Sequence, residues 1–365
     1  MKKFLFLMSL LVVFLFFGFK VVRQNVKNDL AAPVSLPSPT PIQTSIKNVK
    51  GVRSADIKKS IFVPYWGLNG EDIEDKYDSY LYFGVVPTRS GINKKEAGYI
   101  GIDKFLKVTP KSSEKKLVIR MLDPDITFPV LKDTAAQKVV IRDSLRIAIE
   151  HGFSGVVLDL EVSAVPFDSL IKQINEFSKL FYEESKDKDL GFAIMFYGDT
   201  FYRIRPFDIK ALSANADEFL IMSYDFSKSR GNPGPNFPLR GKEVYGYDMT
   251  TMIDDFSRYL PDEKTTIVFG LYGYDWEVDD KGNAVGTGEA KSYQKISKEF
   301  LGKCEYKECS VKSKNDSRET EIRYTDSENK KHIVWFEDME SVSAKQNFLK
   351  AKGISNFSFW AYSYF

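Results

Sequence analysis

Residues 155–161 read Gly-Val-Val-Leu-Asp-Leu-Glu, a continuous apolar run that ends in two acidic residues. On a β-strand the side chains alternate between faces, so Val157, Asp159 and Glu161 share one face and the two leucines share the other. Two carboxyl groups side by side at a buried strand end are costly unless they are paired or functional. Their repulsion raises the pKa of the pair, which a general acid near neutral pH requires. The spacing alone also fits two ordinary loop acids just beyond the strand.

Seven further apolar runs of similar length follow one another between residue 60 and the C-terminal end. They are continuous rather than alternating, as expected for strands that are buried on both faces of a parallel sheet. Between them, apolar residues recur at helical spacing, most clearly in residues 141–149, 170–181 and 249–260. This α/β alternation predicts a (β/α)8 TIM barrel, although a doubly wound open sheet has the same local pattern. The eight predicted strands are Ile61–Tyr65, Tyr80–Val85, Leu117–Met121, Gly155–Leu160, Phe192–Tyr197, Phe219–Tyr224, Thr266–Tyr272 and Phe357–Ala361.

A long polar stretch, residues 277–331, separates the seventh and eighth predicted strands. It predicts a small α+β insertion at the end of the barrel that carries the loops. Within and beside it, Tyr293–Leu301 has a helical pattern, and Glu321–Tyr324 is expected to pair with Ile333–Phe336. The insertion is therefore expected to form one wall of a cleft.

The composition excludes several classes of function. A formal net charge of +2 gives no reason to expect a nucleic-acid partner. Two histidines and two cysteines are too few for a Cys/His metal site, and no cofactor is expected. Cys304 and Cys309 form either a short-loop disulfide in an oxidising compartment or two free thiols, and the sequence leaves both open.

The N-terminal residues predict export and a membrane partner. Lys2 and Lys3 precede an unbroken apolar run, Phe4–Phe19, which is typical of a Sec-type signal. No small-x-small cleavage site follows the run directly, so residues 1–23 are predicted to be an uncleaved signal anchor. A cleaved signal, which would make the protein secreted, is the alternative.

The rest of the chain divides into a spacer and a folded body. Residues 24–58 are rich in proline and are predicted to form a semi-rigid linker. Residues 59–365 are predicted to be the barrel, since a barrel needs about 250 residues before its insertions. The body is therefore expected at the extracytoplasmic face of the membrane.

Four segments in chain order resemble glycoside hydrolase family 18, the chitinase-like enzymes. Residues 154–161 are similar to the fourth-strand motif D-G-x-D-x-D-x-E and keep its Gly, its last Asp and its Glu. Ser154 and Val157 stand where the family has acids. The loss of the acid at Val157 suggests that the charge of Asp159 is controlled differently, rather than that activity is lost. Residues 221–225 resemble the M-x-Y-D element, and residues 270–276 the G-x-x-x-Y-x-W run.

The fourth segment resembles the closing part of bacterial members that are related to spore-cortex and peptidoglycan hydrolases. It comprises residues 334–338, then Ser341, Lys345 and Trp360. Together the four segments extend the resemblance from about Ile61 to the C-terminal end.

The resemblance implies a retaining, substrate-assisted mechanism, an exception to the two-carboxylate scheme. Glu161 would protonate the glycosidic oxygen, and the 2-acetamido oxygen of the substrate would attack the anomeric carbon. Asp159 would stabilise the acetamido N–H, and Tyr224 would donate a hydrogen bond to the same group. The catalytic candidates are therefore Glu161, Asp159 and Tyr224, and the expected substrate is a glycan that contains N-acetylglucosamine. The candidate substrate-binding residues are Asp225, Met222, Trp360, Tyr65 and Tyr272.

Three functions compete at this point. The first is hydrolysis of peptidoglycan or a chitin-like glycan. The second is a non-catalytic, lectin-like barrel at the cell surface, since a fold does not fix an activity. The third is a tethered structural or interaction protein whose insertion carries the function. Retention of both Asp159 and Glu161 favours the enzyme.

Overall fold

The computed structural model describes residues 57–162 and 164–364. The predicted barrel is confirmed over the open sheet, because eight parallel strands close on themselves in the order Lys58–Pro64, Asn356–Trp360, Thr265–Gly270, Glu218–Ser223, Gly191–Tyr197, Gly155–Leu160, Glu114–Met121 and Ser79–Val85. Every predicted barrel strand is present. Its ends differ from the predicted ones by three residues at most, and Gly155–Leu160 matches at both ends. In chain order the strands are β1 Lys58–Pro64, β2 Ser79–Val85, β3 Pro87–Thr88, β4 Gly91–Ile92, β5 Glu114–Met121, β6 Gly155–Leu160, β7 Gly191–Tyr197, β8 Glu218–Ser223, β9 Thr265–Gly270, β10 Tyr272–Val278, β11 Glu289–Ser292, β12 Lys307–Ser313, β13 Thr320–Thr325, β14 Lys331–Phe336 and β15 Asn356–Trp360.

Strand β6 shows how the alternation of side chains builds the barrel. Val157 packs in the barrel interior, in one cluster with Phe62, Val118 and other strand residues. Leu158 and Leu160 belong to the larger cluster between the strands and the outer helices. The predicted division of this strand into an inner and an outer face is therefore confirmed, and it turns Asp159 inward.

The helices pack around the barrel, and local sequence determines where several of them begin. The side chain of Asp133 accepts hydrogen bonds from Ala135 N–H and Ala136 N–H at the start of helix Thr134–Glu150, which contains the predicted stripe 141–149. Gly152 follows this helix with a φ of 70°. The side chain of Asp123 caps the preceding helix, Pro124–Lys132, by accepting a hydrogen bond from Asp125 N–H. The α-helices are Ala97–Ile100, Ile102–Val108, Pro124–Lys132, Thr134–Glu150, Asp168–Lys186, Ile209–Leu212, Lys242–Tyr245, Met249–Phe256, Tyr293–Ile296 and Met339–Ala351.

The insertion between β9 and β15 is a five-stranded antiparallel sheet in the order β11-β10-β14-β13-β12. The predicted pairing is present, with Glu321 opposite Trp335 and Tyr324 opposite His332. The helical segment is also present, as Tyr293–Ile296 followed by a π-helical turn. A disulfide joins Cys304 and Cys309, which resolves the choice that the sequence left open.

The sheet begins earlier in the chain than the polar stretch indicates. Barrel strand β9 ends at Gly270, and after one residue the chain continues as β10, which pairs with β14 from Gly273 onward. The predicted strand Thr266–Tyr272 therefore joins parts of two sheets. Tyr272 belongs to the insertion and not to the barrel wall.

The predicted signal anchor, residues 1–23, and the linker as far as residue 56 lie outside the described residues. Within the described ranges, no helix is both long enough and apolar enough to cross a membrane.

Candidate active site

The candidate acids lie at the carboxyl end of β6, where a barrel carries its catalytic groups. Glu161 follows the last residue of this strand, and Tyr197 ends the neighbouring β7. Tyr224 follows β8, and Trp360 ends β15. The closed barrel brings these side chains, which are far apart in the sequence, to one mouth.

Asp159 is the most deeply buried of the candidate acids, with 1% of its surface exposed. Neither carboxylate oxygen has a hydrogen-bond partner among the described residues. Burial raises the pKa of this carboxyl well above its usual value, and the charge of Glu161 raises it further. A buried carboxyl group whose two oxygens have no partner is available to a polar group of a ligand.

Glu161 is half-buried, and its Oε2 accepts a hydrogen bond of 3.2 Å from the Tyr197 hydroxyl. Burial raises the pKa of Glu161, and the charge of Asp225 acts in the same direction. The Tyr197 hydrogen bond and the nearby cation Lys228 oppose this shift. A half-buried carboxyl with a raised pKa keeps its proton to a higher pH than an ordinary Glu and can still reach a ligand, as a general acid must.

Asp225 is held in place by the insertion. Its Oδ1 accepts hydrogen bonds from the hydroxyls of Tyr272 and Tyr274, the latter at 2.8 Å. Its N–H donates to Oδ1 of Asn236 at 2.8 Å, and its φ of 56° lies in the left-handed region, which Asp tolerates better than most residues. Asn236 in turn donates to the carbonyl of Gly270 at 3.0 Å. Asp225 is therefore fixed by the insertion sheet directly and by the barrel sheet through Asn236.

An aromatic surface lies across the mouth of the barrel. The half-buried Trp360 ring lies 6.5 Å from the Tyr224 ring at an interplanar angle of 27°, and 4.6 Å from Phe83. Burial raises the pKa of Tyr224 well above its usual value, and Glu161 and Asp159 add to the shift. Tyr224 therefore keeps its hydroxyl proton and can donate a hydrogen bond.

The profile of the family described as "Glycosyl hydrolases family 18" matches residues 123–364, which is most of the described chain and includes all of these groups except Phe83. This chain belongs to glycosyl hydrolases family 18. The cortical fragment-lytic enzyme of Bacillus subtilis is 25% identical over 63% of this chain and 51% of its own length. The chain spans about half the length of the curated relatives of this kind that it matches.

Solved structures show the same fold at lower identity. The Bacillus cereus spore cortex-lytic enzyme SleL has a TM-score of 0.68 and 18% identity, over 84% of this chain and 71% of its own. Human YKL-39, described as a pseudo-chitinase with retained chitooligosaccharide binding properties, has a TM-score of 0.71 and 15% identity, over 84% of this chain and 92% of its own.

Two further residues predicted to bind substrate, Met222 and Tyr65, lie in different parts of the barrel. Met222 lies on β8 inside the barrel, 4% exposed, and forms part of the packing in the barrel interior. Tyr65 lies in a short 3-10 helix just after β1, half-buried, with its ring 5.0 Å from that of Trp66. Trp66 is 48% exposed and faces Trp360 at 6.4 Å, so it extends the aromatic surface.

Two residues of the candidate site were not predicted from the sequence, Tyr197 and Arg120. Tyr197 looked like the end of an apolar run, although its place at a strand end next to β6 is a usable indication. Arg120 lies on β5 directly opposite Asp159 in the strand register. Its guanidinium lies 4.6 Å from the centre of the Phe83 ring, and its charge lowers the pKa of Asp159, against the effect of burial. A charged residue inside the apolar run 117–121 was the available indication.

The family motif has an acid where this chain has Val157, and Val157 lies directly below Asp159 on the inner face. The nearby charges that act on Asp159 are therefore Glu161 above it and Arg120 beside it. Within the described ranges, no group of three or more His, Cys, Asp or Glu side chains is arranged to hold a metal ion.

Proposed function

We propose that this chain is a retaining glycoside hydrolase that cleaves glycans containing N-acetylglucosamine, with peptidoglycan preferred to chitin. One observation carries the proposal: Asp159 is buried without a partner beside Glu161, which Tyr197 holds at the barrel mouth. A purely structural role would leave a buried carboxyl hydrogen-bonded. The relationship to a cortical fragment-lytic enzyme favours peptidoglycan.

In the proposed first step, Glu161 gives its proton to the glycosidic oxygen while the bond from that oxygen to the anomeric carbon breaks. The 2-acetamido oxygen of the same sugar forms the new bond to carbon, which makes the reaction substrate-assisted. Water then attacks the anomeric carbon and gives one proton to Glu161, while the bond from that carbon to the acetamido oxygen breaks. Two displacements at the same carbon leave the sugar with its original configuration. The raised pKa of Glu161 supports this role, because the acid must begin protonated.

Asp159, Tyr224 and Asp225 act on the acetamido group. The unpartnered oxygens of Asp159 accept its N–H and stabilise the positive charge that develops as the ring closes. The Tyr224 hydroxyl donates to the acetamido oxygen, and Asp225 supports the same subsite through its fixed loop. Trp360 is the apolar floor beneath the sugar, and Tyr65 and Tyr272 border the cleft.

We further propose that the body works outside the cytoplasm, tethered by residues 1–23 through the linker 24–58. The Cys304–Cys309 disulfide supports this location, because disulfides persist in oxidising compartments and are rare in the cytosol of most organisms.

Release of reducing ends from purified peptidoglycan and from chitin oligomers tests the function. We compare the wild type with Glu161→Gln and with the matched control Glu176→Gln, whose side chain is 61% exposed on an outer helix. Loss of the general acid should reduce kcat by at least about a hundredfold, and the control should keep full activity. If the wild type binds glycan but cleaves neither polymer, the chain is a lectin-like barrel and the proposal is wrong.

A further inference from the structure

A cleft of about 560 Å³ is lined mainly by residues 202–205 and 226–232 and carries an excess of positive charge. Four of the side chains that line it are cationic, and none of the described residues that line it is acidic. We call these four residues the cationic pocket: Arg203, Arg205, Lys228 and Arg230. The proposed reaction on a neutral chitin chain does not need them.

The cationic pocket is connected to Glu161 through one aromatic ring. The guanidinium of Arg205 lies 3.8 Å from the centre of the Tyr197 ring, and the Tyr197 hydroxyl donates to Glu161. Asp199 is buried beneath the pocket and pairs with both arginines, Arg205 at 2.8 Å and Arg203. A single carboxylate therefore fixes two guanidinium groups and leaves the pocket with a net positive charge.

The other two cations have no such partner. Neither Lys228 nor Arg230 forms an ion pair within residues 57–162 and 164–364. Partial burial lowers the pKa of the Lys228 ammonium, and the charge of Arg205 lowers it further. An anion in the cleft would relieve this repulsion, and guanidinium groups bind carboxylates in a fixed geometry.

The loop that carries Lys228 and Arg230 is held against the insertion sheet. The carbonyl of Ser229 accepts hydrogen bonds from Gly288 N–H at 2.7 Å and from Trp276 Nε1 at 3.1 Å. The side chain of Asn232 accepts one from Ala284 N–H at 3.1 Å. The backbone beneath both cations is therefore positioned before any ligand binds, which lowers the entropy lost on binding.

We propose that the cationic pocket binds a carboxylate substituent of the sugar next to the bond that is cleaved. The substrate is then an anionic glycan, such as one that carries the lactyl ether of muramic acid, rather than neutral chitin. This inference rests on the proposed glycosidase function and specifies its substrate class.

The test uses one tetrasaccharide in two forms, with alternating N-acetylglucosamine and N-acetylmuramic acid. One form has free lactyl carboxylates, and in the other they are converted to methylamides. We measure the ratio of kcat/KM for the acid form to kcat/KM for the amide form, with the full-length protein. The ratio should exceed about ten in the wild type, as charge-assisted hydrogen bonds are about twice as strong as neutral ones.

The double variant Lys228→Gln/Arg230→Gln should bring this ratio close to one. The matched double variant Lys172→Gln/Lys179→Gln makes the same change in net charge on the exposed face of a helix and should leave the ratio unchanged. Raising the salt concentration should also reduce the wild-type ratio, because the Debye length falls from about 30 Å at 0.01 M to about 3 Å at 1 M. A wild-type ratio near one overturns the inference.

Calorimetric binding to the Glu161→Gln variant separates this inference from the proposed function. If the wild type cleaves neither form but Glu161→Gln binds the acid form at least about tenfold more tightly, the pocket assignment stands and the hydrolase proposal falls. If both forms are cleaved and bound alike, the hydrolase proposal stands and the pocket assignment falls. The Lys228→Gln/Arg230→Gln changes added to Glu161→Gln should remove the preference in binding.

Discussion

Replacing Lys345 by methionine is expected to destabilise the barrel at its junction with the insertion. Lys345 is fully buried and forms ion pairs with Glu319 at 2.8 Å and with Glu337, both also 0% exposed. Glu319 accepts N–H bonds from Asn236 and Phe237, next to the loop of the candidate site. The substitution leaves two buried carboxyl groups without their cation.

The expected loss can be worked out from this burial. Removing one member of a buried ion pair costs about 3–5 kcal/mol, because the remaining charge has no partner. Burial raises the pKa of Glu337 to about 8 despite Lys345, so this carboxyl can take up a proton once the lysine is removed. We therefore expect most of the cost to come from the charge of Glu319. With an unfolding entropy of about 2.1 cal/mol/K per residue over roughly 300 residues, the melting temperature should fall by about 5–8 °C.

Calorimetry at pH 7 on the wild type, Lys345→Met and Lys350→Met is the assay. Lys350 is exposed on the same helix, so its replacement should change the melting temperature by no more than about 2 °C. Adding Glu319→Gln to Lys345→Met should recover part of the loss, since it removes the orphaned charge. A Lys345→Met shift equal to that of Lys350→Met would refute the reasoning.

Three further predictions concern the site and the insertion. Tyr197→Phe removes a hydrogen bond that lowers the pKa of Glu161, so the alkaline limb of the pH profile of kcat/KM should move to higher pH. A limb that stays in place or moves to lower pH contradicts this. Trp360→Ala should reduce kcat/KM by about tenfold or more through loss of the aromatic floor, and unaltered kinetics on chitin oligomers and peptidoglycan would exclude that role. Replacing Cys304 and Cys309 by serine should lower the free energy of unfolding by about 2 kcal/mol, because the loop that the disulfide closes is short. Denaturant titration measures this loss, and a value above about 4 kcal/mol would require another cause.

The barrel could be predicted because its strands are buried on both faces and are therefore continuous apolar runs. The inward turn of Asp159 followed from the same fact, since alternation on a strand leaves no choice once Leu158 is placed outside. The start of the insertion could not be predicted, because Gly270 and Tyr272 belong to one apolar run but to two sheets. The antiparallel pairing of β10 with β11 and β14 is what separates them.

The missed site residues have a physical explanation of the same kind. Arg120 belongs to the candidate site because it lies opposite Asp159 on the next strand. The register between two strands cannot be predicted from the sequence of either strand alone. Tyr197 is an ordinary aromatic residue at the end of an apolar run until its hydroxyl is placed against Glu161. The disulfide depended on a redox environment that local sequence does not specify.

The hydroxyls of Tyr272 and Tyr274 limit how this barrel can exchange parts with its relatives. Both come from the first strand of the extra sheet, and both donate to Asp225 on a barrel loop. A chimaera that replaces residues 272–336 must supply two phenols at the same places, or Asp225 is left with its oxygen unsatisfied. Recombination between related barrels is therefore expected to transfer the sheet together with residues 225–236 as one unit.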